Sequence, residues 1–384
     1  MGIFSVISLL GGLSIFLYGM DIMGDGLKSS SSKALKSMLE KVTHSAVLGM
    51  LTGTLVTSVI QSSTATIVLT VGLLSAGILN LRQSISIVMG ANIGTTVTAQ
   101  IIRLMDINSS GAAFIEIFKP STLAPLAVLC GIIFLKFVKS QKTKGIGMML
   151  MGFGILFTGL MGMTEAVSPL SESQAFTDVL QKFSDVPILG ILTGLITTFI
   201  VQSSSAVIGM VQALSSTGAF TFQTVYPLII GINLGTCITT AIVCSIGTDK
   251  DAKRTGIAHI LFNCIGTVLF MAAIPLLHHA GALNFIWGKP MNSGGIANFT
   301  TIFNLVTAVA LLPFTNQLVK LTTLIVKDSP DDTEDFYPEM RTLDEKLFIS
   351  PALALHQVNI AEASMGRLAR KNFNRSIDQL VSYD

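Results

Sequence analysis

The residues of this chain best suited to chemistry carry no charge. Gln61, Ser62, Ser63 and Thr64 stand in a row, and Gln202, Ser203, Ser204 and Ser205 repeat the arrangement. Each set is followed by a Gly-x-Asn-x-Gly-Thr element and one more threonine. These are Gly90, Asn92, Gly94, Thr95 and Thr98, then Gly231, Asn233, Gly235, Thr236 and Thr239. Hydroxyls and carboxamides donate and accept hydrogen bonds without ionising, so the clusters are better suited to holding an ion than to transforming a substrate. A serine nucleophile needs a neighbouring base and often a Gly-x-Ser-x-Gly elbow. Neither cluster has the elbow, and no His or Asp falls within residues 48–98 or 189–239. The expectation is a binding site and not an enzyme.

These polar clusters lie in a chain that cannot cover its own surface with polar groups. Of 384 residues, 50% are hydrophobic and 12% charged, against about 25% charged in an ordinary soluble domain, and the mean hydropathy is +0.69. Apolar runs close to the roughly 20 residues needed to cross a bilayer recur at 3–23, 84–102, 121–138, 145–163, 224–246, 256–277 and 296–314. They predict an all-α integral membrane protein with about seven full spans. The first run has no basic segment before it and reads as a retained span, not a signal peptide. Cys130, Cys237, Cys244 and Cys264 all fall in apolar runs and show no metal-ligand spacing.

The chain also repeats itself. Residues 48–98 align with 189–239 without a gap at an offset of 141, with 19 of 51 pairs identical, and 15–23 match 155–163 at an offset of 140. Repeat 1 covers about residues 12–102 and repeat 2 about 152–246, with additional spans at 121–138, 256–277 and 296–314. Three basic clusters belong in the cytoplasm by the positive-inside rule: Lys28, Lys33, Lys36 and Lys41; Lys136, Lys139, Lys142 and Lys144; and Lys250, Lys253 and Arg254. The acidic stretch 164–187 and the stretch 278–295 fall outside. These assignments give the repeats opposite orientations, the inverted topology from which many secondary transporters derive alternating access.

Around each Gln-Ser-Ser the apolar stretches are short. Residues 46–60, 65–79, 186–201 and 206–220 each make roughly 22 Å of helix, against a hydrocarbon core of roughly 30 Å. Two re-entrant helical hairpins follow, turning at Gln61–Thr64 and at Gln202–Ser205. A non-helical turn at such depth is tolerated only inside protein or beside a wet cavity. The turns expose helix N-terminal N–H groups and hydroxyl donors, which suits a compact oxyanion. With no Lys or Arg in either motif, cotransported cations must offset its charge. Oxygens of Gln61, Gln202, Asn92, Asn233, Thr95, Thr98, Thr236 and Thr239 suit sodium. Packing explains any one serine, threonine or glycine in a membrane helix, but it does not require a glutamine at the same place in both repeats.

Gln-Ser-Ser-Thr and Gln-Ser-Ser-Ser, each followed by Gly-x-Asn-x-Gly-Thr, resemble the motifs of the type II sodium-phosphate cotransporter family in its bacterial branch, over about residues 12–314. Ala258, His259, Phe262 and Asn263 are similar to the family's Ala-His-x-x-Phe-Asn element. Phe303 and Asn304 end a degenerate echo of it, with Thr300 in the place of the histidine. The resemblance implies a sodium-coupled importer of inorganic phosphate, with phosphate held by Gln61, Ser62, Ser63, Thr64, Gln202, Ser203, Ser204 and Ser205. It implies sodium held by Gln202, Thr236 and Thr239, with Asn92, Thr95 and Asn233 nearby. It also implies a homodimer in the plasma (inner) membrane, in contact with lipid, with no organic cofactor and no nucleic-acid partner. Electrogenic animal members carry an aspartate where Ser109 stands here, with Asp106 close by. Two alternatives stay open: another small oxyanion as cargo, such as arsenate or sulfate, and a phosphate sensor or scaffold acting through the tail.

The transporter domain is expected over 1–327 and a cytoplasmic linker and helix over 328–384, where 343–381 resembles the first helix of a PhoU-like domain. Of the remaining polar and aromatic residues, His278 and His279 read as loop residues, and His44 and Trp287 as interfacial ones. His259 reads as a helix-packing hydrogen bonder, and Arg103 as a span-end residue that snorkels.

Overall fold

The computed structural model describes residues 3–40, 45–75, 79–106, 119–245, 250–327 and 351–381. In chain order the described α-helices are α1 (Ile3–Glu40), α2 (Ala46–Ile60), α3 (Ser63–Ser75), α4 (Leu81–Ile102), α5 (Pro120–Phe137), α6 (Gln141–Val167), α7 (Gln174–Asp185), α8 (Pro187–Val201), α9 (Ser204–Ser215), α10 (Phe222–Ser245), α11 (Lys250–His279), α12 (Ser293–Leu311), α13 (Thr315–Ile325) and α14 (Pro351–Val381). Seven stretches are long and apolar enough to cross a membrane: Phe4–Ser31, Leu81–Asp106, Pro120–Phe137, Lys142–Leu170, Phe222–Ser245, Lys250–His279 and Ser293–Ile325. The chain is an all-α, multi-pass membrane protein. Phe4, Leu10, Val268, Leu276 and Leu324 are each more than half exposed, a surface suited to hydrocarbon and costly in water. The chain divides into two units, Met1–Val326 and Lys327–Asp384. In the second, α14 is a 31-residue helix, and the expected helical residues 343–350 lie outside the described ones.

Within the first unit, the leading helices of the two repeats lie side by side. Gly12 of α1 packs on Gly159 and Met163 of α6, Gly19 on Ile155 and Leu156, and Gly26 on Gly145 and Met149. Residue numbers rise on one helix as they fall on the other, so the pair is antiparallel. At an offset of 140 the Gly12–Met163 contact maps onto Gly152–Met23, which also forms. The contact thus has a local two-fold, and two such helices spanning one membrane cross it in opposite directions.

Each repeat then contains two short helices followed by one long one, with α7 placed before them in repeat 2. In repeat 1 the short α2 lies on α4 through two glycines: a Cβ on Gly53 would overlap the carbonyl of Ile87, and one on Gly90 the carbonyl of Met50. In repeat 2 the same seam joins α8 to α10, Gly194 on Leu228 and Gly231 on Ile191. All four residues of the seam are shifted by the same 141 positions. Small residues let helix backbones approach closely where no hydrophobic force drives association. The start of α4 is fixed by a reciprocal cap: Asn80 Oδ1 accepts from the N–H of Gln83 at 3.0 Å, and Gln83 Oε1 accepts from the N–H of Asn80 at 2.8 Å.

The glycine seams can be tested directly. Gly90→Ala and Gly231→Ala should each destabilise by about 1–3 kcal/mol, read as a lower thermal midpoint of the detergent-solubilised protein. Gly72→Ala, whose added Cβ meets no atom within 4 Å, should leave the midpoint unchanged or raise it slightly. Equal midpoints for all three would mean that the seams do not hold the short helices in place.

Candidate functional site

Each pair of short helices is joined at a glutamine in an unusual backbone conformation. Gln61 has φ 60° and ψ 21°, Gln202 has φ 57° and ψ 18°, and these are the non-glycine residues with positive φ among the described ones. The left-handed region costs a residue with a Cβ roughly 1–2 kcal/mol. Here it ends one helix and starts the next within two residues. The N–H groups of Gln61 and Gln202 donate to the carbonyls of Thr57 and Thr198, both at 2.7 Å. Ser62 Oγ then accepts from the N–H of Ala65 at 3.2 Å, and Ser203 Oγ from that of Ala206 at 3.3 Å. These two serines are N-caps, and as acceptors they keep their hydroxyl protons for another partner. Among the described residues, the hydroxyls of Ser63, Thr64, Ser204 and Ser205 make no hydrogen bond with protein. At each turn, carbonyls at the C-terminus of one helix therefore lie beside N–H groups at the N-terminus of the next.

The two turns face a common cavity. Its wall contains Gln61, Ser62, Ser63 and Thr64 from one turn, Gln202, Ser203, Ser204 and Ser205 from the other, and Thr95, Thr198, Thr236 and Thr239. Every one of these side chains ends in a hydroxyl or a carboxamide, and none is charged. Eleven of these twelve residues are ones the sequence singles out; Thr198 is the exception.

Asn92, Asn233 and Thr98 stand outside the cavity wall. Asn92 Nδ2 donates to the carbonyl of Val88 at 2.9 Å, while its Oδ1 lies 3.0 Å from His259 Nε2 and 3.4 Å from Asn263 Nδ2. An amide oxygen only accepts, so His259 Nε2 carries the proton. Asn233 is held similarly: its Nδ2 donates to Ile229 at 2.8 Å, and its Oδ1 accepts from Asn304 Nδ2 at 3.2 Å. Both asparagines thus fasten a core helix to a neighbour, α4 to α11 and α10 to α12. Thr300, in the place of His259, turns its hydroxyl back to the carbonyl of Ile296 at 2.8 Å. Thr98 donates to Gln61 Oε1 at 2.6 Å.

Of the remaining expectations, Ser109 and His44 lie outside the described residues. Asp106 accepts from the N–H of Gly294 at the start of α12, away from the cavity. Arg103 is exposed and donates to Asn298 Oδ1 at 3.1 Å. Trp287 stacks on His278 with ring centroids 3.7 Å apart.

The family model described as Na+/Pi-cotransporter matches residues 15–165 and 163–307, one match per repeat. YqeW of Bacillus subtilis, named as uncharacterised, is 29% identical over 81% of this chain and 95% of its own length. YjbB of Escherichia coli, provisionally named an inorganic phosphate export protein, is 24% identical over 91% of this chain, which spans 61% of that protein's length. The human sodium-dependent phosphate transport protein 2B is 34% identical over 28% of this chain and 16% of its own length. No solved structure matches the chain.

The turn conformation gives a test that needs no substrate. Gln61→Asn and Gln202→Asn should keep the thermal midpoint close to that of the parent protein, because asparagine tolerates the left-handed region. Gln61→Val and Gln202→Val should each lose about 1–3 kcal/mol. Asn and Val variants with the same midpoint would show that the turns relax into an ordinary conformation.

Proposed function

Since the chain belongs to the Na+/Pi-cotransporter family, we propose that it carries inorganic phosphate together with sodium ions by alternating access. The observation that carries the reading is the cavity, which draws on both repeats and is walled by hydroxyls and carboxamides alone. A phosphate dianion entering it meets hydroxyl donors and the N-terminal N–H groups of α3 and α9. It meets no cationic side chain, and desolvating an uncompensated charge is prohibitive. Sodium supplies the compensation. Its ligands on this reading are the oxygens of Gln202, Thr236 and Thr239 and the carbonyls at the end of α8, with Thr95 opposite. Phosphate lies between the turns at Gln61–Thr64 and Gln202–Ser205. Asn92 and Asn233 act one layer back, fixing the helices that carry Thr95 and Thr236.

On the same reading α2/α3 and α8/α9 are re-entrant hairpins that enter from opposite faces and meet near the midplane of the inner membrane. The transporter domain is 1–327, and the tail is cytoplasmic, in keeping with the basic clusters around Lys28, Lys136 and Lys250. Pairing of two copies rests on the family resemblance alone. An inward sodium gradient drives such a symporter toward import. The export name of YjbB favours the reverse direction as a second reading, which requires a phosphate gradient larger than the opposing sodium gradient.

Purified protein in proteoliposomes should accumulate labelled phosphate under an inward sodium gradient, but not with potassium or choline. Reversing the gradients separates the two directions, and excess arsenate or sulfate measures selectivity. Ser204→Ala with Ser205→Ala removes two hydroxyls and leaves the Ser203 cap intact. Each lost hydrogen bond to a charged ligand is worth about 1.5–3 kcal/mol, so uptake should fall by at least about tenfold. Unchanged uptake in the double variant would remove these hydroxyls from the phosphate site.

A further inference from the structure

The two repeats agree in backbone and packing, but their polar clusters end differently. In repeat 1, Thr57 Oγ1 donates to Thr66 Oγ1 at 2.9 Å, and Thr98 Oγ1 donates to Gln61 Oε1 at 2.6 Å. Both pairs are closed within the protein. In repeat 2, Val207 stands in the place of Thr66, so Thr198, in the place of Thr57, has no hydroxyl opposite it. Thr198 is 1% exposed, its Oγ1 makes no hydrogen bond, and it lines the cavity. Thr239, in the place of Thr98, turns back to the carbonyl of Thr236 at 2.8 Å, and Gln202 stays exposed in the cavity wall.

A buried hydroxyl without a partner is costly, and valine has nearly the same shape. Many threonines in these helices avoid the cost by donating to the carbonyl one turn back, as Thr54 does to Met50 and Thr95 to Ala91. Thr198 does not. Gly235 of α10 lies against its Cβ and Cγ2, which holds the methyl toward α10 in a residue that lines the cavity. One turn later α8 ends at Gln202, where carbonyls freed from the helix accumulate negative potential. A neutral oxygen held rigid beside such carbonyls is the environment that a monovalent cation finds at broken membrane helices.

We propose that the Thr198 hydroxyl is a ligand of the transported sodium ion. With Gln202, Thr236 and Thr239 it completes an oxygen site in repeat 2, whose counterpart in repeat 1 is shut by the Thr57–Thr66 and Thr98–Gln61 hydrogen bonds. This rests on the sodium-coupled reading above and adds to it a residue and a one-sidedness. The substitution of Thr66 by Val207 is what opens the site.

Sodium titration of the thermal midpoint in detergent, with choline holding ionic strength constant, tests the proposal. Thr198→Val should raise the sodium concentration for half effect about tenfold, equivalent to about 1.4 kcal/mol. Its midpoint in choline should stay the same or rise, since an unpaired hydroxyl has been removed. Thr198→Ser should restore wild-type affinity. Val207→Thr, which gives Thr198 the partner that Thr57 has, should weaken sodium as well, whereas Thr66→Val should not. A wild-type sodium curve for Thr198→Val makes Thr198 a packing residue and overturns the proposal, with sodium coupling left standing. A parent protein that shows neither a sodium-dependent midpoint nor sodium-dependent uptake overturns both readings.

Discussion

Two glutamines hold a backbone conformation that their own side chains disfavour, and the rest of the fold is arranged to keep them there. A glycine at either apex would relieve the strain, but it would place no carboxamide where helix end meets helix start. The conformation persists because each turn is clamped from both sides. The glycine seams lock α2 on α4 and α8 on α10, and the backbone N–H of each glutamine is tied to a threonine one turn back. Strain of this kind survives only where its surroundings over-determine it. The asparagine ties from Asn92 to His259 and from Asn233 to Asn304 supply the outer layer of that support.

Much of this arrangement was legible from residue types. Hydroxyls and carboxamides recurring at a fixed offset marked the two turns, and both turns face the cavity. Short apolar runs either side of each motif marked the short helices, and the weaker match at an offset of 140 marked α1 and α6, whose contacts prove antiparallel. The rotation of each core helix about its own axis was not legible. Asn92 and Thr95 are three residues apart, or roughly 60° short of a full turn, and that angle separates a packing residue from a cavity residue. Residue types give no rotation, because both positions are polar and both lie within two residues of a glycine. The partners of Asn92 and Asn233 were visible only as the Ala-His-x-x-Phe-Asn element and its echo. What linked them to the core helices was a tertiary contact across some 170 residues in one case and 71 in the other.

Thr198 illustrates a different kind of blindness. Thr57 and Thr198 are identical in the repeat alignment, so identity alone suggests that they do the same thing. The informative position was the mismatch nine residues on, Thr66 against Val207, which removes one hydrogen-bond partner and leaves the other exposed to a different use. In an internal duplication the conserved positions report the shared architecture. The substituted ones report where the halves have taken different tasks. Here the substitution converts a closed hydroxyl pair into one buried, unpaired oxygen at a cavity wall, a change of chemistry made while the turn keeps its conformation.

If phosphate and sodium occupy the cavity as proposed, the geometry of the turns also bears on why they should travel together. At Gln202 the C-terminus of α8 and the N-terminus of α9 meet within two residues, so roughly half a negative and half a positive elementary charge face the same small volume. A cation drawn to the first and an anion drawn to the second are forced into proximity, and neither finds a side chain of opposite charge. Two unit charges about 4 Å apart attract by about 4 kcal/mol at an effective dielectric constant of about 20. That is more than the few hydrogen bonds of either site contribute singly. Each ion then raises the affinity for the other by the same factor, because coupling free energy is reciprocal. A cationic side chain in the cavity would substitute for the sodium and abolish the coupling. On the proposed function, the absence of charge from the cavity wall is therefore what makes phosphate binding depend on a second ion.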